Sequence, residues 1–146
     1  MSQEVCVSLE RRGSVIDFDF ESVAFGKVHV ETDALPEDER TGQAKKLLGS
    51  AVLHCYVSAL AKALDTRGVP YEVIDGRATV VAGTDDQGRG RIVQIRLDVN
   101  VHADADYEDI FERVQKVMKN GCLISASIEP AIPVVYNLAL VCPEDD

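Results

Sequence analysis

The feature that most constrains this chain is the stretch from Thr41 to Thr66, rich in Ala, Leu and Lys, which reads as one long helix. Leu48, Ala51, Val52, Cys55, Ala59 and Ala63 recur at three- and four-residue steps and trace one apolar face. Thr41 is placed to serve as the N-cap, and Gly68 followed by Pro70 supplies the stop. A helix of roughly 25 residues is about 37 Å long. In a chain of 146 residues, it must run through the centre and meet apolar surface along much of its length. The length fits a single domain over residues 1–146.

Before the helix the periodicity is two. Val5, Val7 and Leu9 alternate with Cys6, Ser8 and Glu10, the pattern of a half-buried strand. Val15 to Phe20 and Lys27 to Glu31 repeat it, which predicts an antiparallel meander. Asp33 to Arg40, polar and containing Pro36, is a loop. After the helix, Tyr71–Ile74 and Ala78–Ala82 read as β, with Asp75-Gly76-Arg77 a turn or a bulge within one strand. The polar, Gly-rich run to Gly90 is a hairpin loop, and Ile92 to Val101 a long strand. Asp106 is placed to cap a second helix ending near Lys119, and Asn120-Gly121 closes it. A short helix or turn follows at Ser125–Ile128, then a final strand over Val134–Val141. The order is β-β-β-α-β-β-α-β, an α+β fold with antiparallel sheets.

Charge and composition exclude several classes. Fifteen basic residues against 25 acidic ones give a net charge of −10, which opposes a phosphate backbone, so no nucleic-acid partner is expected. No run approaches the ~18 apolar residues of a membrane span, and the start of the chain lacks signal-peptide character. The reading is a cytoplasmic protein with no membrane partner. His29, His54 and His102 are scattered, no CxxC pair occurs, and neither metal nor cofactor is expected. Gly83–Gly90 follows no strand-to-helix step and is no phosphate loop. Glu37–Glu39, Asp85-Asp86 and Glu144–Asp146 read as solvated surface.

Two cysteines draw attention. Cys55 lies mid-helix on the apolar face, in Leu47-Leu48-Gly49-Ser50-Ala51-Val52-Leu53-His54-Cys55, and Cys122 lies just past the second helix, in Cys122-Leu123-Ile124-Ser125. Free Cys commonly behaves as a small buried hydrophobe. Adjacent helical residues point about 100° apart, so His54 does not face Cys55. Cys6 and Cys142 match no motif and read as structural.

The two Cys motifs, in this order and among these elements, resemble the OsmC/Ohr family: osmotically inducible protein C and the organic hydroperoxide resistance proteins. The resemblance covers nearly the whole chain. It implies an intertwined homodimer with active sites at the subunit interface, and a thiol peroxidase acting on organic or other hydroperoxides. Cys55 would form the sulfenic acid, Cys122 would close a disulfide with it, and an external dithiol would reduce that bond. The bridge requires Cα atoms within about 4.4–6.8 Å. It also implies an Arg from the N-terminal segment beside the first thiol, for which Arg12 stands in position and Arg11 is equally available. Two departures are visible. Leu123 replaces the Pro of the second motif. Ala44-Lys45 replaces the Pro-Glu whose carboxylate holds that Arg, and Glu37, Asp38 or Glu39 would have to substitute. The departure at Lys45 motivates an alternative: a family-fold protein that holds a small apolar ligand at the dimer cleft without turnover.

Overall fold

A computed structural model describes residues 2–143. The chain forms two compact units, Met1–Gln43 and Ala44–Asp146. In the first, β1 (Ser8–Arg12), β2 (Val15–Asp19) and β3 (Val28–Glu31) make the expected meander, antiparallel throughout. Arg12 pairs with Val15 across a two-residue turn, and Gly13 takes the left-handed conformation there (φ 62°). Strand β1 starts three residues later than the alternation beginning at Val5 suggested. Its residues are exposed rather than half-buried, as are Val5 and Val7. Glu37–Glu39 forms a single 3₁₀ turn.

The second unit holds α1 (Gln43–Thr66) from its second residue on; the helix begins two residues beyond the expected Thr41 cap. Gly42 precedes it with φ 99°, a conformation that favours glycine over threonine. Its other end stops as expected: Gly68 is left-handed (φ 68°), and the Val69 N–H donates back to the Leu64 carbonyl. Gly49, Val52, Tyr56, Leu60 and Leu64, at three- and four-residue steps, are buried. By length and by its mean hydropathy of 1.5 over 18 residues, α1 is apolar enough to cross a bilayer, which the sequence reading had not anticipated. Its buried stripe instead joins the core built on the sheet.

That sheet has the order β4-β5-β6. Strands β4 (Val73–Thr84) and β5 (Gly90–His102) form the expected hairpin; Gly76 lies within β4 rather than in a turn, and the bulge falls between Val81 and Ala82. Strand β6 (Val134–Val141) pairs with β5 in parallel, which corrects the expectation of antiparallel sheets throughout. The reason is the connection. Helix α2 (Glu108–Met118) and the short α3 (Leu123–Ile128) lie between β5 and β6, and such a crossover returns the chain in its original direction. The 3₁₀ turn leading into α2 is capped by Asp104, whose carboxylate accepts the Asp106 N–H, not by Asp106.

The two faces of the sheet differ. Ile95, Leu97, Val99 and Val101 of β5 are fully buried under the helices, with Phe111, Val114 and Met118 of α2. The opposite face is a polar ladder: Asn137 donates to Asp98, Arg96 pairs with Asp98, and Asn100 and His102 both meet Asp75. Helix α1 comes close to β4 because two glycines allow it. A Cβ at Gly49 would sit 3.1 Å from Val80 Cγ2, and one at Gly76 would sit 3.1 Å from Leu53 Cδ1, 3.2 Å from Val99 and 3.3 Å from the Asp98 carbonyl. Gly76→Val is therefore expected to lower stability by about 1–3 kcal/mol through overpacking, read as an earlier midpoint in urea unfolding. An unchanged midpoint would show that α1 does not press on the sheet there.

Candidate functional site

Cys55 and Cys122 come together in the second unit, and the local folding of each follows from its neighbours. Cys55 precedes Tyr56 of the buried α1 stripe, so it sits at the edge of the core, half-buried and free. Cys122 is nearly buried, at 7% exposure, and is also free. The chain reaches it through Gly121, which ends α2 in the left-handed conformation (φ 73°). Any Cβ at Gly121 would collide with both the Tyr136 hydroxyl and Ser125 Oγ, so the site needs glycine there for two separate reasons.

Cys122 is the N-cap of α3 in a reciprocal capping box. Its N–H donates to Ser125 Oγ (2.8 Å), and the Ser125 N–H donates to Cys122 Sγ (3.4 Å). Sγ and Oγ are themselves 3.3 Å apart. Ser125 has no exposed surface, so its hydroxyl must be satisfied within the protein. It lies 2.7 Å from the Tyr136 hydroxyl, which lies 2.5 Å from Glu129 Oε1. The ring of Tyr136 stacks on Tyr56, with centroids 5.2 Å apart. Tyr56 Oη is buried without a hydrogen-bond partner among the described residues.

The electrostatics separate the two thiols. Burial pushes Cys55 up from its ordinary range; the Ile124 and Leu123 N–H groups at the start of α3 oppose this, while Cys122 adds to it. Burial also works against ionisation of Cys122. There it is outweighed by the Ser125 hydroxyl and N–H, the Cys55 thiol and the Ile124 N–H, and the net direction is down. Each thiol acts on the other, so they titrate as a pair with Cys122 the readier to ionise. Burial pushes Tyr56 up to about 12, and burial with the Glu129 hydrogen bond does the same for Tyr136, so both remain protonated donors near neutral pH.

The other residues considered in the sequence lie elsewhere. Arg12 belongs to the first unit, highly exposed on β1 and paired with Glu10 of the same strand. His54 and Lys45 are both exposed on α1. His29 bonds Asp17, and His102 bonds Asp75, each through one carboxylate oxygen. Cys6 and Cys142 are exposed and free. Gly83–Gly90 is the β4–β5 hairpin, closed by Asp85, which accepts from the Gln87 and Arg89 N–H groups. Among the described residues no cluster of His, Cys, Asp and Glu converges for a metal. Sequence reasoning missed Tyr56, Glu129 and Tyr136. The one available signal was Ser125, three residues past Cys122, a capping spacing that tied the hydroxyl to the thiol.

Because Ser125 supplies much of what ionises Cys122, Ser125→Ala is expected to move the first step of the thiolate titration to higher pH. The check is thiolate absorbance in the ultraviolet against pH. A first step that stays in place would remove Ser125 from the electrostatics of the pair.

The fold has known counterparts. The family model described as OsmC-like protein matches residues 38–137. No curated protein sequence matches. An OsmC-like protein from Mycoplasma pneumoniae superposes with a TM-score of 0.72 at 14% identity, covering 99% of this chain and 100% of that one. An organic hydroperoxide resistance protein from Elizabethkingia anophelis gives 0.64 at 14% identity over 98% and 99%. The organic hydroperoxide resistance protein OhrB of Bacillus subtilis gives 0.59 at 18% identity over 95% and 98%. Identities this low establish the architecture, while the family model spans well over half the sequence. The chain with Cys55 on its long helix and Cys122 at the cap of α3 belongs to the OsmC-like protein family.

Proposed function

We propose that this protein is a cysteine-based peroxidase of organic or other hydroperoxides, working in the cytoplasm in the response to oxidative stress. The observation that carries the reading is that the free Cys55 and Cys122 thiols lie in hydrogen-bonding contact with each other at the start of α3. Two free thiols in direct interaction are poised for a two-electron cycle. The presence of organic hydroperoxide resistance proteins among the structural neighbours supports the same chemistry.

In the proposed cycle the Cys55 thiolate attacks one oxygen of the hydroperoxide. The O–O bond breaks, the alcohol leaves with a proton, and Cys55 becomes a sulfenic acid. Cys55 is assigned this role because it is the less buried sulfur and faces the Leu123 and Ile124 N–H groups, which stabilise its anion. Cys122 then attacks the sulfenic sulfur as its proton departs, the S–S bond forms and water departs. An external dithiol reduces the disulfide by exchange. Burial alone holds Cys55 protonated, so the cycle calls for a positive charge beside it. Arg12 is the proposed source, brought to the site in a homodimer. That homodimer is expected to sediment at twice the chain mass.

The test is one equivalent of cumene hydroperoxide added to the reduced protein. A Cys55–Cys122 disulfide should form in seconds, as read by mass spectrometry after alkylation, and Cys55→Ser should abolish it. Arg12→Ala should slow the first step about tenfold, and an unchanged rate would exclude Arg12. Intact thiols together with stoichiometric retention of an apolar ligand would support the alternative of a non-catalytic binder, which Lys45 in place of the expected carboxylate motivates.

A further inference from the structure

We propose that Ser125, Tyr136 and Glu129 form a proton relay that drains the Cys122 thiol as it closes the disulfide. The inference rests on the peroxidase reading for its context, but its geometry stands alone. Four groups lie in sequence: Cys122 Sγ to Ser125 Oγ at 3.3 Å, Ser125 Oγ to Tyr136 Oη at 2.7 Å, and Tyr136 Oη to Glu129 Oε1 at 2.5 Å. The phenol has one hydrogen and two close oxygen neighbours. The carboxylate has none to offer, so the phenol donates to Glu129. With its hydrogen given to Glu129, its oxygen at 2.7 Å accepts from the Ser125 hydroxyl, for which the Cys122 carbonyl at 3.4 Å is the weaker acceptor. The Ser125 oxygen, which already accepts the Cys122 N–H, has its remaining acceptor position for the Cys122 S–H. With the thiol neutral, every donor in the chain thus points the same way, from sulfur to carboxylate; once each hydrogen has moved one bond, the Ser125 hydroxyl donates back to the sulfur, the contact that favours the thiolate.

Moving each hydrogen one bond along this chain balances the step. Cys122 S–H gives its proton to Ser125, Ser125 gives its own to Tyr136, and Tyr136 gives its own to Glu129, which becomes the acid. The Cys122 lone pair forms the S–S bond while the S–O bond of the Cys55 sulfenic acid breaks. The sulfenic hydroxyl leaves with that bonding pair and takes up one proton from solvent as water, equal to the one that Glu129 later returns. One sulfur is oxidised and the other reduced by the same amount. Glu129 returns to the carboxylate by losing its proton to solvent, which its partial exposure allows. The other ionisable groups facing the relay are Cys55 and Tyr56 from α1, and Glu112, Lys116 and Lys119 from α2, which line a cleft of about 420 Å³ with both tyrosines. The two ammonium groups make that cleft a poor place to leave the released proton. The carboxylate is the better acceptor.

The experiment needs no hydroperoxide. With the exposed Cys6 and Cys142 replaced by Ser in every protein compared, an aromatic disulfide reagent that releases thionitrobenzoate labels Cys55, and attack by Cys122 then releases a second coloured thiolate in a first-order phase seen by stopped flow. In the wild type this phase should be nearly flat in pH around neutrality and slower in deuterium oxide by about twofold or more. Glu129→Gln and Tyr136→Phe should each slow it about tenfold at neutral pH, abolish most of the isotope effect, and recover toward the wild-type rate as pH rises. A purely structural role would slow the phase at every pH and leave the isotope effect in place. Either that pattern or wild-type rates in both variants overturns the relay. Circular dichroism confirms folding, and the two variants sit on different elements, so loss of one leaves the other to decide. Thiols untouched by hydroperoxide, beside a relay that behaves as described, would overturn the peroxidase reading alone.

Discussion

The left-handed turn at Gly121 is the constraint on which the thiol site depends. It ends α2 and sends the chain directly into the N-cap of α3, so Cys122 enters the core with its N–H and sulfur already committed to Ser125. A side chain at 121 would meet two energetic objections at once. Positive φ is unfavourable for every residue with a Cβ, and the space is filled by the Ser125 and Tyr136 hydroxyls. The same turn presents the first N–H groups of α3 to Cys55 on α1. Helix termination, capping and thiol chemistry therefore share one set of atoms.

Burial and hydrogen bonding compete at each sulfur, and the balance differs between them. Both thiols lose hydration, which favours the neutral form. Cys122 recovers more than it loses because a side-chain hydroxyl and two backbone N–H groups surround it. Cys55 recovers less, with backbone N–H groups alone, and its neighbour's charge acts against it. Two nearby sulfurs cannot ionise together without mutual repulsion, so the pair is asymmetric by construction. A nucleophile that resolves an intermediate gains from being the readier anion. A nucleophile that waits for substrate gains from being switched on by a charge supplied from outside its own core.

Much of this was legible in the sequence because it follows from periodicity and punctuation. The Gly68-Pro70 stop, the β4–β5 hairpin and the Gly121 end of α2 are all local signals, and the structure has them; the α1 stripe is displaced by one residue, with Gly49, Val52, Tyr56, Leu60 and Leu64 buried, Leu48, Cys55, Ala59 and Ala63 half-buried beside them and Ala51 exposed. The direction of β6 was not legible from alternation, which is the same for parallel and antiparallel strands; only the helical crossover fixes it. The exposure of β1 was missed for a similar reason. Alternation shows which residues share a face but not whether anything covers that face. The two cysteines were found through their flanking motifs. Tyr56, Glu129 and Tyr136 were not, because their roles arise from where β6 falls in register beside β5, with Tyr136 opposite Leu97, and no short spacing encodes that.

The register also explains why a tyrosine, rather than an aliphatic residue, occupies the inward position on β6. Val134, Leu138 and Leu140 share its face and pack as ordinary core. At 136 the strand passes beneath the start of α3, where a buried hydroxyl, Ser125, needs a partner and the Glu129 carboxylate needs a donor. Phenylalanine would fill the same volume and stack on Tyr56 equally well, yet would leave Glu129 to solvent and Ser125 with only its contacts to Cys122, a lost hydrogen bond costing about 0.5–1.5 kcal/mol. The tyrosine therefore holds α3 to the sheet through its oxygen as well as its ring. That attachment keeps Cys122 at a fixed distance from α1 while the bonds at its sulfur change.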